Sequence, residues 1–83
     1  MKVKIKILLF GMLTDMAGKA FVEIEFANNI DVNTDTLMKK VIELYPEFRK
    51  VNFIIAVNKK VISENQLITV DDEVALLPPF AGG

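Results

Sequence analysis

The chain has 83 residues, 52% of them hydrophobic and 25% charged, with a formal net charge of −1. That balance excludes a disordered chain and a strongly basic nucleic-acid binder, and the length excludes a multidomain enzyme with its own deep cleft. The absence of cysteine and histidine excludes disulfides, a thiolate nucleophile, thiolate or imidazole metal ligands and the commonest general base.

Lys2 to Phe10 reads as a strand, with Lys2, Lys4 and Lys6 alternating against Val3, Ile5 and Ile7. Its latter part is uniformly apolar, the pattern of a central strand covered on both faces. The same segment has the outline of a short signal peptide, with a small-residue site at Ala17 to Ala20, but the alternation favours a strand, and the chain is expected to be cytoplasmic. No apolar run approaches the roughly 20 residues that cross a bilayer. Gly11 to Gly18 is a short connection with a helical turn at Met12 to Met16, and Ala17-Gly18-Lys19 supplies turn chemistry. In Phe21 to Phe26, Val22, Ile24 and Phe26 share a face opposite Glu23 and Glu25. The two strands form an antiparallel pair with lysines lying across from glutamates.

Asn28-Asn29 breaks the second strand, and Asn33-Thr34-Asp35-Thr36 offers several helix N-caps. Leu37, Val41, Leu44, Tyr45 and Phe48 then form one amphipathic stripe. Pro46 ends the regular helix near Leu44 or Tyr45, and Phe48 covers the core from the turn beyond. Val51 to Asn58 is a β-rich run interior to a sheet, and Asn58-Lys59-Lys60 turns into a short outer strand at Val61-Ile62. Ser63 to Leu67 reads as a loop or a single helical turn, Asp71-Asp72 as another turn, and Glu73 to Leu77 as a last short strand. The first and last long strands are the most apolar and are expected side by side at the centre. The order β-β-α-β-β-β predicts an α+β roll: a small mixed sheet packed on one main helix, the β-grasp or ubiquitin-like fold. Residues 1–83 read as one domain, with 78–83 as an extended tail.

The carboxylates come in two groups, Glu23 with Glu25 and Asp71-Asp72-Glu73, and both read as solvated surface. Neither has the spaced oxygen ligands of a metal loop, so no metal is expected. Gly11 and Gly18 are isolated and make no phosphate-cradling loop. The lysine face of the first strand reads as edge protection or a docking surface, since its basic residues lack interleaved aromatics. The end of the chain remains. Pro78-Pro79 stops the sheet and sends the backbone outward, Phe80 is an apolar anchor, and Ala81, Gly82 and Gly83 taper to nothing. A frayed terminus is the default for any chain end. A tail built for insertion into another protein's active site gives each of these residues a reason, because Gly-Gly clears a narrow channel and leaves the α-carboxylate unhindered. An exposed apolar patch is also expected, since mean hydropathy is +0.36, and Phe10, Leu77 and Phe80 are its candidate members.

Leu76-Leu77-Pro78-Pro79-Phe80-Ala81-Gly82-Gly83 resembles the C-terminal signature of the molybdopterin synthase small subunit, the MoaD-type sulfur carriers of the MoaD/ThiS family. Upstream, Lys4 to Leu13 resembles the family's opening strand and turn, Ala17-Gly18 and Val57-Asn58 match recurrent pairs, and Asp72-Glu73-Val74-Ala75 resembles the approach to the last strand. Asn58-Lys59 stands where many members have Asn-Gly, and Val70-Asp71-Asp72-Glu73 where the turn is usually Asp-Gly-Asp-Glu.

The resemblance implies that the reactive group is the carboxylate of Gly83. An adenylating activating enzyme of MoeB type consumes ATP on it, and a sulfur donor system converts it to a thiocarboxylate. The tail then enters the large subunit of molybdopterin synthase (MoaE-type) within a heterotetramer. There the sulfur passes to a cyclic pyranopterin monophosphate, towards a molybdenum or tungsten cofactor. Gly82 and Ala81 would thread the channel, Phe80, Pro79 and Pro78 would seat the tail's base, and Phe10 and Leu77 would meet the partner. The chain would bind no cofactor, nucleic acid or membrane, and would be non-catalytic alone. Carriers for thiamine synthesis or tRNA thiolation share the Gly-Gly end, as does a ubiquitin-like protein modifier that forms isopeptides through Gly83.

Overall fold

The computed structural model describes residues 2–28 and 30–79. Alternation builds the first hairpin: β1 (Lys2–Leu9) pairs antiparallel with β2 (Phe21–Ala27), in a register running from Lys2–Ala27 to Leu8–Phe21. A six-residue helix, α1 (Met12–Ala17), connects them. It ends at Gly18 with φ 73°, the left-handed geometry glycine adopts without steric cost. The expected helical turn is thus a helix in its own right.

The main helix, α2 (Thr34–Leu44), starts at Asn33, whose side chain accepts a hydrogen bond from the Thr36 amide at 2.8 Å. Pro46 disfavours helical geometry at Tyr45, and the chain continues as a 3-10 helix over Pro46–Lys50. The remaining strands are β3 (Val32–Asn33), β4 (Ile54–Val57), β5 (Lys60–Ile62), β6 (Leu67–Ile68) and β7 (Val74–Leu77). Five of the seven form one mixed sheet in the order β2-β1-β7-β4-β5, with β1 and β7 parallel, and β3 and β6 make a separate antiparallel pair. Among the described residues, no helix is long and apolar enough to cross a membrane.

Several expectations need correction. The β-rich run contracts to Ile54–Val57, because Val51 caps the 3-10 helix. The separate β3–β6 pair has no precursor in the pattern: two residues per strand are too few to show a period. The lysine face does not protect an edge, since β1 lies between β2 and β7. Finally, the apolar end of β1 is not covered twice. Ile5, Ile7 and Leu9 are buried, while Leu8 is half-buried and Phe10 is 43% exposed.

The core lies between the sheet and α2. Ile5, Ile7, Leu9, Val22, Ile24, Val74 and Leu76 supply its sheet side, with Leu37 and Val41 from α2, Leu13 from α1 and Phe48 from the 3-10 helix. Phe48 is fully buried and stacks on Tyr45, with ring centroids 5.3 Å apart. Leu44 departs from the expected stripe and is 54% exposed. Met38 and Ile42 flank the buried face in its place. The buried Thr34 is satisfied: its hydroxyl donates to the Gln66 carbonyl at 3.1 Å and accepts from the Gln66 amide at 3.2 Å.

Asn58 holds the β4–β5 turn against the approach to β7. Asn58 and Lys59 both have positive φ (52° and 71°), as a two-residue hairpin turn requires. The Asn58 side chain donates to Asp72 at 2.9 Å and accepts from the Glu73 amide at 2.9 Å, and Asp72 also accepts from the Thr69 amide at 2.8 Å. The Asn58 side chain first, then the Thr69 amide, hold the Asp72 carboxyl below the usual carboxylate range, outweighing slight desolvation.

Phe48→Ala is expected to destabilise the fold by about 3–5 kcal/mol and Leu44→Ala by less than about 0.5 kcal/mol, read from urea unfolding midpoints. Asp72 is charged above its unfolded pKa near 3.8, so its contribution is present there and lost as pH falls through the lower folded value. Asp72→Asn should therefore flatten the fall of stability below about pH 4, measured by denaturant unfolding at stepped pH.

Candidate partner-binding face and tail root

Strand alternation fixes which side chains oppose the helix-covered core. With Ile5, Ile7 and Leu9 inward, Lys2, Lys4, Lys6 and Leu8 face outward on β1. The register carries that face across the sheet. It pairs Lys4 with Glu25, Lys6 with Glu23 and Leu8 with Phe21 on one side, and Leu8 with Ala75 on the other. Ala75 lies opposite Ala56, Leu77 opposite Ile54, and Ala56 opposite Val61. Each of these residues therefore belongs to the uncovered face of the sheet.

This open face has two chemically distinct halves. On the β1–β2 side, Lys2 and Lys4 stand 3.7 and 3.9 Å from the Glu25 carboxylate, and the Lys6 ammonium lies 4.2 Å from the Phe21 ring centroid. The lysines lie across from glutamates as expected, and they compensate one another's charge. On the other side, Phe10, Ile54, Ala56, Val61, Ala75 and Leu77 line a shallow cleft of about 270 Å3, joined by Lys59 and Glu73. The cleft offers mainly apolar contact area.

The chain leaves the sheet from this cleft. The Phe10 amide donates to the Leu76 carbonyl at 3.1 Å, extending the β1–β7 pairing past the end of β1. The next residue, Gly11, has φ 63°, and a Cβ there would stand 2.5 Å from Cγ of Pro78. The backbone of Gly11 and the Pro78 ring therefore pack directly against each other. Pro78 and Pro79 are exposed.

The structure thus brings Phe10, Leu77 and Pro78 together at one end of the sheet. Phe80, Ala81, Gly82 and Gly83 lie outside the described residues. Sequence reasoning missed Ile54, Ala56, Val61 and Ala75 as neighbours of Phe10, because only the strand register assembles them. Among the described residues, no group of three or more Asp or Glu side chains is placed to hold a metal ion. A second apolar cleft, of about 280 Å3, lies at the opposite end of β1, where Val3 meets Ile30, Leu67 and Val70.

Solved structures share the fold, two small archaeal modifier proteins among them. The small archaeal modifier protein 1 from Haloferax volcanii superposes with a TM-score of 0.76 at 20% identity, covering 96% of this chain and 99% of that one. The protein of the same name from Methanosarcina acetivorans gives 0.76 at 20% identity, covering 100% and 99%. At such identities the likeness establishes the ubiquitin-like β-grasp architecture. In sequence, the chain is 34% identical over 83 residues to the molybdopterin synthase sulfur carrier subunit of Dictyostelium discoideum, covering 94% of each. The ThiS family description matches residues 7–83. The chain therefore belongs to the ThiS family, the MoaD/ThiS type.

Proposed function

We propose that the chain is the sulfur carrier subunit of a molybdopterin synthase and that its working group is the Gly83 carboxyl. The observation that carries this reading is the 34% identity across 94% of a molybdopterin synthase sulfur carrier subunit. The composition supports it, because a chain without cysteine or histidine is poorly supplied for side-chain catalysis and well suited to chemistry at a backbone carboxylate. The geometry supports it as well: the apolar cleft and the packed Gly11–Pro78 contact form a firm base for a presented terminus.

In the proposed cycle, an activating enzyme of MoeB type binds the carrier and ATP. A carboxylate oxygen of Gly83 attacks the α-phosphorus, pyrophosphate leaves, and the acyl carbon becomes electrophilic. Sulfide released by the donor system attacks that carbon and AMP departs, leaving a thiocarboxylate. The carrier then docks on the large, MoaE-type subunit, which supplies the catalytic side chains and holds the cyclic pyranopterin monophosphate that receives the sulfur. Phe10 and Leu77 make contact from the cleft, Pro78, Pro79 and Phe80 seat the tail, and Ala81 and Gly82 pass through the channel without a bulky side chain. The chain holds no cofactor in this cycle, ATP is consumed by the activating enzyme, and the work takes place in the cytoplasm.

Incubation with the activating enzyme, ATP and a sulfur donor, followed by a thiol-reactive alkylating probe and intact mass, is expected to give one adduct. The adduct should vanish when Gly83 is deleted. Because the chain has no cysteine, any specific adduct reports a new sulfur, and the probe separates sulfuration from methionine oxidation of similar mass. No adduct, with lysine-linked conjugates through Gly83 instead, would identify a protein modifier. Phe10→Ala is expected to weaken binding to the large subunit by about 30-fold, as loss of a buried aromatic anchor of about 2 kcal/mol does. Calorimetric titration measures this, and the unfolding midpoint should stay unchanged.

A further inference from the structure

The reach of the tail limits how a partner can approach. This argument rests on the reading above, in which the Gly83 carboxyl is the reacting group. Four residues, Phe80 to Gly83, separate Pro79 from that carboxyl, and four extended residues span at most about 14 Å. An active-site pocket that encloses the terminus takes up most of that length. The wall around its mouth must therefore come against the root of the tail, on whichever sides of the root the carrier presents surface.

The root cannot move far to meet it. Pro78 packs against the Gly11 backbone, the Phe10 amide is bonded to the Leu76 carbonyl, and the prolines allow little rotation. Gly11 is flanked in sequence by two exposed apolar side chains. Phe10, before it, lines the cleft with Leu77. Met12, after it, is the first residue of α1 and is 53% exposed. Adjacent Cα atoms are about 3.8 Å apart, so the Met12 backbone stands beside the residue that Pro78 touches.

We infer that the rim of the pocket receiving the tail rests on Met12 as well as on Phe10 and Leu77, closing on the root from the α1 side and from the sheet side. Met12 is then a specificity-determining residue for the partners of the Gly83 chemistry. The occupant it requires is an apolar, uncharged rim, since a thioether side chain adapts to irregular apolar surfaces and offers no strong hydrogen bond. The exposed side chains at the far end of the molecule are outside this contact. Leu67 is 65% exposed beside Val3, and the seven residue steps from Val3 to Phe10 carry the chain roughly 23 Å away.

The test is ATP–pyrophosphate exchange catalysed by the cognate activating enzyme, with full-length carrier as the varied substrate. Met12→Lys is expected to raise KM for the carrier about tenfold with kcat within twofold. Met12→Leu should restore the parent KM, and Leu67→Lys should match the parent in both constants. Thermal midpoints of all variants are measured alongside and are expected to agree. Parent exchange kinetics that Met12→Lys leaves unchanged would overturn this inference alone, as would an equal KM rise in Leu67→Lys. No exchange with the parent carrier, by an enzyme active on another carrier, would overturn the proposed function and this inference with it.

Discussion

The parallel pairing of β1 with β7 is the constraint on which the rest of the structure depends. It joins an early strand to the last one, so both run in the same direction and finish at the same end of the sheet. That end is where Phe10, Gly11 and Met12 turn away into α1 and where Pro78 leaves the sheet. In an antiparallel arrangement, the exit from β1 and the exit from β7 would lie at opposite ends, with the Gly11–Pro78 contact impossible. The parallel pair also needs a long crossover, and α2 is part of it, laid over one face of the sheet. One face is thereby covered and the other left open, so the same connection that builds the core also leaves the candidate binding face.

Much of this was legible in the residues, and the failures have physical causes. The first hairpin followed from two clean alternations, and the helix end from Pro46, because both signals are local. Phe48 was correctly placed in the core, since a single aromatic just beyond a proline-terminated helix has few other places to go. Leu44 was misplaced: the periodicity that put it on the stripe assumes a straight helix packed along its full length, and this helix ends at Leu44. The uniformly apolar end of the first strand, Ile7 to Phe10, predicts cover on both faces, although Phe10 is also a candidate for an exposed patch. The structure shows instead that half of that run, Leu8 and Phe10, faces the open side of the sheet. An apolar side chain awaiting a partner and one inside a core look the same in a single sequence. The cleft itself was illegible, because Phe10, Ile54, Val61 and Leu77 meet only through a register that spans four strands. Val57-Asn58 stands out in the sequence only as a recurrent pair, and the structure supplies the reason: Asn58 tolerates positive φ while its side-chain amide bonds both Asp72 and the Glu73 amide.

The division of the open face carries its own consequence for how a partner aligns. On the β1–β2 half, Glu25 already serves two lysines, and Lys6 lies over Phe21. Those groups are exposed, and such surface pairs contribute little to stability. Their influence lies in what it costs to cover them. An apolar surface laid over Lys4 and Glu25 strips water from both ions and returns no new bond, a penalty of several kcal/mol per ion where burial is deep. The other half, from Phe10 across Ala75 to Val61, has mainly apolar surface to desolvate, so covering it is favourable at about 25 cal/mol per Å2. A partner with a flat apolar surface is thus driven towards β7, β4 and β5 and away from β2. That bias would set such a partner beside Leu77 and Pro78, where the chain leaves the sheet. The charged half need not attract anything to contribute to specificity, because it makes the wrong register expensive.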